Sequence, residues 1–355
     1  MARLLLITHE FEMTGASWLL WRLGRYLVER GHSVSVLADP KAPGSLRERF
    51  VADGMPVVAE VAPESVDLAI ANTIYVTPVL MNLVSRTRTL WWVREGEIGI
   101  KPFLHRAGWG AILREVTHLV FQTKFQRDEV YRSFIYDLPP EKISIIPSGV
   151  GPIPSVAPVP RRKAYRIVCV GAIYPRKRQI DLIRAVVALE RDDVECVLLG
   201  QLERPLPNDV QAVIAARPDV FHLPGLVDRK AVHSFYAGAD IFSLPSLSES
   251  QAVSAYEAGC HGLPLVLSDL PCYRDIWRHG HNCLLHPVGD SQMLAGMLSV
   301  LLRDANLRQR LGQAAANTAN SPEFRFENFT RTFEALIGRL LGMAKPVPKR
   351  NAPAK

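Results

Sequence analysis

Short apolar runs alternate with helix-like stretches along the whole chain, and one proline-rich break divides this alternation into two similar halves. The apolar runs are continuous, which is typical of strands buried on both faces of a parallel sheet. Repeated alternation of such strands with helices predicts a doubly wound α/β fold. The predicted strands are 3–8, 33–39, 66–71, 89–93, 118–123 and 142–147 in the first half, and 166–171, 194–200, 220–225, 240–245 and 264–268 in the second.

The spacing between these strands predicts the helices and the domain limits. The first half is expected to hold helices at 17–30, 45–53, 76–85, 103–115 and 124–136, and the second at 177–190, 207–216, 229–237 and 249–261, with three more closing the chain. The segment GVGPIPSVAPVPRRKAY indicates an extended linker. We predict a Rossmann-like N-terminal domain (1–150), a linker (151–165), a second Rossmann-like domain (166–321), a C-terminal helix returning toward the first domain (322–343) and a flexible basic tail (344–355).

The net charge of +7 is concentrated outside the predicted domains. It can be assigned to seven basic residues, which are Arg161, Arg162 and Lys163 in the linker and Lys345, Lys349, Arg350 and Lys355 in the tail. A nucleic-acid-binding protein would spread its excess over a folded face, so no nucleic-acid partner is expected. The charge indicates solvated, flexible segments, and the alternative is a weak contact with an anionic membrane surface.

Cysteine usage and hydropathy predict a cytoplasmic protein, with peripheral attachment to the inner membrane face left open. The five cysteines are odd in number and form no CxxC pair, which argues against a disulfide framework and a zinc site. No apolar run approaches about 18 uncharged residues. The run RLLLIT is too short for a signal peptide and is followed by Glu10 and Glu12, so a first buried strand is expected.

The segment LPSLSESQAVSAYE carries two carboxylates beside a predicted helix start. Ser246 and Ser248 are expected to cap the helix 249–261, with Glu249 in its first turn. Glu257 follows eight residues later, which on a helix is a rise of roughly 12 Å, so the two carboxylates could contact two parts of one elongated ligand. Free N–H groups of 250–253 and the helix dipole would suit a diphosphate.

A second candidate anion site follows strand 166–171. Gly171 ends the strand, and Arg176, Lys177 and Arg178 begin the next helix. Carboxyl ends of parallel strands meet at one edge of the sheet, so these cations are expected on the same edge as Glu249. Arginine adds two-point phosphate recognition and lysine a compact charge.

These motifs together resemble the retaining, nucleotide-sugar-dependent glycosyltransferases of the GT-B fold, in which two Rossmann-like domains face each other across a cleft. The group includes bacterial mannosyl-, glucosyl- and N-acetylglucosaminyltransferases. Glu249 and Glu257 match its E-x7-E signature. The similarity spans nearly the whole chain and is carried by THEFEMTGAS, ERGHSVSVL, EKISIIPSGV, VGAIYPRKRQIDLIRA and VFHLPGLVDRKAVHSFYAGADIFSLPSLSESQAVSAYEAGCHGLPLVLSD.

The resemblance implies a donor site. Lys177 would bind the donor diphosphate, Glu249 the sugar hydroxyls and Glu257 the nucleotide ribose. The remaining implied donor-binding residues are Gly15 and Ala16 in the first domain's glycine loop, Gly171, Arg176, Arg178, Leu226 near the base, and Ser250, Gln251, Ala252 and Val253 through their backbone. No cofactor beyond the nucleoside-diphosphate sugar is implied, and no DxD-like acidic pair suggests a metal site.

Three positions depart from the family pattern. Ser250-Gln251-Ala252 replaces the usual Gly-Phe-Gly, and Ala172 replaces an arginine whose charge Arg176 or Arg178 could supply. Arg94 stands where many members carry an active-site histidine, so we count it with Lys177 and Glu249 as a catalytic candidate. Arginine stays protonated and cannot act as a general base at neutral pH.

The acceptor is expected at the first domain. It would be a glycan, a glycolipid or other lipid-linked molecule, or a small molecule, and a polysaccharide or lipopolysaccharide intermediate is one reasonable choice. Trp18, Glu10 and Glu95 are the acceptor-side candidates. Tryptophan faces stack on sugars and also favour membrane interfaces. Trp91 and Trp92 lie in a predicted strand and are expected in the core.

The sequence bears on three alternatives to a retaining, metal-independent transferase. A protein of the same fold could bind sugar or nucleotide without turnover, which the departures at Arg94 and 250–252 keep open. A nucleotide-sugar epimerase would need its own acid and base, and the sequence gives no reason to prefer it. A dehydrogenase would need GxGxxG after a strand, and neither THEFEMTGAS nor VGAIYPRK has that spacing.

Overall fold

The computed structural model describes residues 1–106 and 108–342 and divides the chain into two compact α/β units. The first unit contains residues 1–149 and the C-terminal segment from residue 327, and the second contains 150–326. Each unit has its own parallel sheet, which confirms the predicted fold class of two doubly wound domains. Within the described residues, no helix is both long and apolar enough to cross a membrane.

The sheet of the first unit has seven parallel strands in the order β3-β2-β1-β4-β5-β6-β7. Its strands are β1 Arg3–Ile7, β2 Ser33–Leu37, β3 Val57–Val58, β4 Leu68–Asn72, β5 Thr89–Trp92, β6 His118–Phe121 and β7 Ile143–Ile145. Its α-helices are α1 Gly15–Glu29, α2 Leu46–Ala52, α3 Thr77–Met81, α4 Trp109–Glu115 and α5 Arg132–Ile135, and the C-terminal helix Phe326–Leu341.

The second unit has six parallel strands in the order β10-β9-β8-β11-β12-β13. Its strands are β8 Tyr165–Val170, β9 Val194–Leu199, β10 Phe221–Gly225, β11 Ile241–Leu244, β12 Leu265–Ser268 and β13 Leu284–His286. Its helices are α6 Gln179–Ala188, α7 Asn208–Ala216, α8 Arg229–Ala237, α9 Val253–Cys260, α10 Ser291–Arg303 and α11 Ala305–Ala319. The C-terminal helix Phe326–Leu341, which belongs to the first unit, is called α12. In both sheets the chain order reverses beside the first strand, and such a reversal opens a ligand-binding crevice at the carboxyl ends.

Helix α12 packs on the first unit although the whole second unit separates it in sequence from residues 1–149. The ring of Trp92 lies 5.3 Å from that of Phe329 and 4.8 Å from that of Phe333. Tyr26 and Arg30 donate hydrogen bonds to the Glu334 carboxylate. Trp91 and Trp92 are fully buried, as expected for core residues.

Several predicted helices of the first unit are shorter than their sequence pattern indicates. The helix predicted at 103–115 begins only at Trp109, because Gly108 has φ +80°, outside the range of a right-handed helix. The stretch 124–136 contains a π-helical turn followed by the single-turn helix α5. The sequence did not predict the two-residue strand β3 or the three-residue strand β13.

The predicted linker belongs to the second unit in the structure and has no helix or strand before Tyr165. Its basic triplet was expected to be solvated and flexible. Arg161 and Arg162 are exposed, and Arg161 also pairs with Asp240 and Lys163 with Asp219. The sequence does not indicate these ion pairs, because both partner carboxylates lie far from the linker along the chain. The predicted basic tail, 344–355, lies outside the described residues.

Candidate active site

The turn after β8 brings Lys177 back over the end of its own strand. Gly171 has φ +150°, and a Cβ atom there would lie 3.6 Å from Cε of Lys177. The chain then makes a short 3₁₀ turn at Pro175–Lys177 before α6 begins. The lysine ammonium is thereby held at the carboxyl end of β8, where the sequence predicted it.

Glu249 is the centre of a charged cluster built from two adjacent strands, β8 and β11. Nζ of Lys177 lies 2.6 Å from its Oε1, and Nη1 of Arg176 lies 3.3 Å from its Oε2. The hydroxyl of Ser246 donates to Oε1 at 2.6 Å. The carboxylate is 6% exposed. Burial would raise the pKa of Glu249, but the charges of Lys177 and Arg176 outweigh it and hold the pKa below its ordinary value.

The helix start predicted at Glu249 was wrong by four residues. Helix α9 begins at Val253, so the seven residues between the two glutamates are only partly helical and the predicted 12 Å rise does not apply. Ser246 does not cap the helix, because its hydroxyl bonds to Glu249 instead. The N–H of Val253 is not free either, since it donates to the carbonyl of Gln251. The hydrogen bonds that Glu249 accepts from Ser246 and from the turn after β8 therefore override the local capping signal.

The predicted Arg178 and Glu257 each have a different charged partner. The guanidinium of Arg178 makes a two-point contact with Asp181 in α6, which leaves Arg176 as the arginine beside Glu249. The buried Glu257 forms an ion pair with Arg229, the first residue of α8. Sequence reasoning missed Arg229, because nothing in its local pattern separates it from other surface arginines.

The other predicted donor residues of the second unit lie on or beside loops that follow its strands. Leu226 follows β10 directly and is 55% exposed. Gln251 and Ala252 are buried, and Ser250 is half-buried in the loop before α9. Ala172 follows Gly171, and its carbonyl accepts a hydrogen bond from the Gln179 amide.

The glycine loop of the first unit leads into α1. Thr14 caps the helix by accepting from the N–H of Ser17, and Gly15 and Ala16 form the first turn. A Cβ atom at Gly15 would meet no atom within 4 Å, so the loop leaves open space there. Glu10 accepts hydrogen bonds from the hydroxyls of Thr14 and Ser17, which gives this acceptor-side candidate a structural role in the loop.

Arg94 and Glu95 follow β5 at the carboxyl edge of the first sheet. The Arg94 guanidinium lies 4.2 Å from the centre of the Trp92 ring, and the residue is 9% exposed. Oε2 of Glu95 accepts main-chain hydrogen bonds from Ile74 and Arg94. Burial lowers the pKa of Arg94 to about 10 and raises that of Glu95 to about 7.

Thr73, after β4, is a residue at this edge that sequence reasoning missed. It has φ +73°, which is uncommon for a β-branched residue and is a form of strain found at functional sites. Its hydroxyl contacts Nδ1 of His9 at 3.1 Å, and its carbonyl accepts from the Trp91 indole at 2.8 Å. The His9 ring stacks on Tyr75, which is exposed. Backbone strain leaves no mark in the sequence.

The tryptophan pair on α1 is only partly available to a ligand. Trp18 is half-buried, and its ring centre lies 4.6 Å from that of Trp21. Trp21 is buried and donates to Asp53 at 2.8 Å, so it is anchored in the unit. Trp18, the acceptor-side candidate, is therefore the more accessible of the two tryptophans.

Two family models match the two halves of the chain. Residues 2–134 match the model described as glycosyl-transferase family 4, and residues 156–318 match glycosyl transferases group 1. A search of curated protein sequences gave no significant match. Across the residues that the structure describes, no group of three or more His, Cys, Asp or Glu side chains could hold a metal ion.

Solved structures similar to this chain cover nearly all of it. HepE of Anabaena in complex with UDP and glucose has 17% identity and a TM-score of 0.77, covering 96% of this chain and 100% of its own. Sucrose-phosphate synthase of Thermosynechococcus elongatus has 16% identity and a TM-score of 0.74, with 97% and 100% coverage. The lipopolysaccharide outer core galactosyltransferase WaaB has 14% identity and a TM-score of 0.66, with 95% and 99% coverage.

At these identities the structural similarity shows the fold, and the family models supply the activity class. Both models describe glycosyltransferases, and together they match most of each structural unit. The chain therefore belongs to the GT-B glycosyltransferases.

Proposed function

We propose that the chain transfers a sugar, with retention of anomeric configuration and without a metal ion, from a nucleoside-diphosphate donor to an acceptor hydroxyl. The observation that carries this proposal is the cluster of Lys177, Arg176 and Glu249 at the carboxyl ends of β8 and β11. A place where the strand order reverses is where α/β sheets bind ligands. A lysine and an arginine at this position could bind the negative charge of a diphosphate, and a carboxylate could accept hydrogen bonds from the sugar hydroxyls.

The leaving diphosphate gains negative charge as the glycosidic bond breaks. Lys177 and Arg176 would stabilise that charge in place of a metal ion, and positioned cations of this kind are effective where water is excluded. Glu249 holds both cations in place. In the proposal it bonds to donor sugar hydroxyls once the diphosphate takes over its partners, and the leaving phosphate assists the acceptor hydroxyl.

The acceptor is proposed to bind the first unit at the edge formed by Arg94, Glu95 and the glycine loop, with Trp18 beside it. Support for a glycan or lipid-linked acceptor comes from the similarity to WaaB, a lipopolysaccharide outer core galactosyltransferase. HepE was solved with UDP and glucose, which makes UDP the first nucleotide to test. A cytoplasmic location and a weak contact with an anionic membrane surface are also part of the proposal.

A thermal-shift panel tests donor binding. UDP, GDP, ADP, TDP, CMP and NAD would be added to the full chain, and donor hydrolysis would be measured for any nucleotide that binds. A ligand at about 100 times its dissociation constant stabilises the folded chain by roughly 2.7 kcal/mol. We expect one nucleoside diphosphate to raise the melting temperature of the wild type and of the Lys230→Ala control, whose lysine is exposed. The shift should disappear in Lys177→Ala.

Turnover is tested with Glu249→Gln, which keeps the side-chain shape and removes the negative charge. Because the carboxylate no longer competes for Lys177, nucleotide binding should be retained or strengthened, while transfer and donor hydrolysis fall by about 10²-fold or more, as when a positioned catalytic group is lost. Wild-type rates in both Lys177→Ala and Glu249→Gln would show that this cluster is not the donor site. Nucleotide binding without any turnover of the wild type would favour the sugar-binding alternative.

A further inference from the structure

Arg94 is a buried arginine whose guanidinium has no hydrogen-bonding partner among the residues that the structure describes. Its side chain forms no hydrogen bond or ion pair within residues 1–106 and 108–342, and its Nη1 atom is buried without an acceptor. Arg166 shows the contrast, since it is also buried, at 2% exposed against 9% for Arg94, but pairs with Glu195 at 2.7 Å and donates to two main-chain carbonyls. A buried unpaired cation destabilises a fold unless something compensates its charge.

The carboxylate of Glu95 offsets only part of the cost of burying Arg94, because burial still outweighs its charge and no hydrogen bond joins the two side chains. Oε2 of Glu95 is engaged by the main-chain N–H groups of Ile74 and of Arg94 itself. The ring of Trp92 offers a face to the guanidinium at 4.2 Å, which offsets only part of the cost of burying a cation. The arginine is also fixed in place, because Trp92 is packed against α12 and Gln126 donates to the carbonyl of Glu95.

We infer that Arg94 binds an anionic group of the acceptor, a carboxylate or a phosphate. A guanidinium that is already desolvated and oriented matches such a group with two parallel hydrogen bonds. Treating the ligand of the first unit as the acceptor rests on the proposed function. The inference narrows the acceptor to an acidic sugar or a phosphorylated one, and it gives a physical reason for an arginine at this position.

Small anions test the inference without knowledge of the acceptor. Glucose 6-phosphate, glucuronate and inorganic phosphate would be compared with glucose at equal ionic strength, by thermal shift on the full chain. We expect at least one anion to raise the melting temperature of the wild type while glucose does not. The shift should persist in Lys177→Ala, which lacks the other anion site, and in the exposed control Arg132→Met, and it should be lost in Arg94→Met.

The stability of Arg94→Met separates a ligand-binding role from a structural one. Methionine keeps most of the side-chain volume and removes the unpaired charge, so the melting temperature should equal or exceed that of the wild type. Arg94→Lys should still bind the anion, about tenfold more weakly, because the two-point contact is lost. A marked fall in melting temperature, or failure of Arg94→Met to fold, would show a structural residue and overturn the inference.

Two further results would also overturn it. One is the absence of any anion-induced shift in the wild type. The other is loss of the UDP shift in Arg94→Met, which would assign the arginine to the donor diphosphate. Failure of UDP to bind the wild type would count against the proposed function, and the sugar anions would still report on Arg94 independently.

Discussion

His118 is a residue whose protonation couples pH to folding. It begins β6, is 1% exposed, and its Nε2 lies 2.8 Å from the hydroxyl of Ser144. Burial, together with the positive charges of Arg339 and Lys142, lowers the pKa of His118 from 6.5 to about 4. The folded chain therefore holds this imidazole neutral at pH values where the unfolded chain would already bind a proton.

We predict that His118 destabilises the first unit in acid. Above about pH 6.5 the imidazole is neutral in both states and has no effect. Between pH 6.5 and 4 only the unfolded state gains the proton, so stability falls as the pH falls, by up to about 3 kcal/mol at pH 4. His118→Gln keeps a polar group beside Ser144 and should lose less stability over this range. Urea unfolding at several pH values measures the difference.

The pH dependence of stability must be compared between His118→Gln and the wild type, because other groups also change protonation in this pH range. Burial and the neighbouring His233 also lower the pKa of His261 to about 4, and burial raises that of Glu95 to about 7, with the opposite effect on stability. These contributions are common to both chains and cancel in the difference. Equal pH dependence of wild type and His118→Gln would contradict the prediction, as would a His118 pKa near 6.5 by NMR titration.

At the residue scale, the sequence could predict a charged cluster and could not predict its partners. Lys177 and Glu249 follow strand ends on a parallel sheet, so topology alone places them on one edge. The pairing of Arg178 with Asp181 and of Glu257 with Arg229 depends on side-chain directions across different elements. The left-handed backbone of Thr73 has no compositional signal, because such strain is imposed by the surrounding fold.

At the element scale, strand positions were predictable and several helix starts were not. A buried strand of four to six apolar residues is visible in the sequence because its pattern is continuous. Helix starts depend on which partner takes the capping side chain. Ser246 could cap a helix at Glu249, but its hydroxyl donates to that carboxylate, and α9 starts at Val253. Prediction from capping signals fails where a charged site competes for the same groups.

The buried pair of Arg166 and Glu195 fastens β8, β9 and the end of the predicted linker. Arg166 bonds to Glu195 and to the carbonyls of Val159 and Pro160. We predict that Arg166→Met destabilises the second unit by about 3–5 kcal/mol, because it leaves a buried carboxylate uncompensated. The double variant Arg166→Met/Glu195→Leu should recover part of that loss. Urea unfolding of the two variants measures both effects.

The matched control is Arg184→Met, which removes the exposed pair with Asp209 in the same unit. Exposed pairs contribute about 0–1 kcal/mol, so this variant should unfold close to the wild type. If Arg166→Met were no less stable than Arg184→Met, the buried pair would have no role in fastening the linker.

At the scale of the whole molecule, the two-domain α/β architecture was predictable because the alternation of strands and helices repeats on both sides of the proline-rich segment. The assignment of α12 to the first unit depends on a different kind of information. Its apolar face identifies it as a packed helix, but only the tertiary contacts of Phe329 and Phe333 with Trp92 fix the unit to which it belongs. The chain thus leaves the first unit after residue 149 and re-enters it at residue 327.

This connectivity predicts a local effect for Phe333→Ala, although residue 333 follows the whole second unit in sequence. Phe333 is fully buried against Trp92, and truncating such a ring costs about 3–5 kcal/mol. Hydrogen exchange followed by mass spectrometry should show faster exchange in β5, β6 and α12 and unchanged exchange in β8 to β12. The mirror control is Phe242→Ala, which removes a fully buried ring from β11 and should accelerate exchange in the second unit. Faster exchange throughout both units in Phe333→Ala would contradict the assignment, because the stabilisation by α12 would then not be confined to the core that it covers.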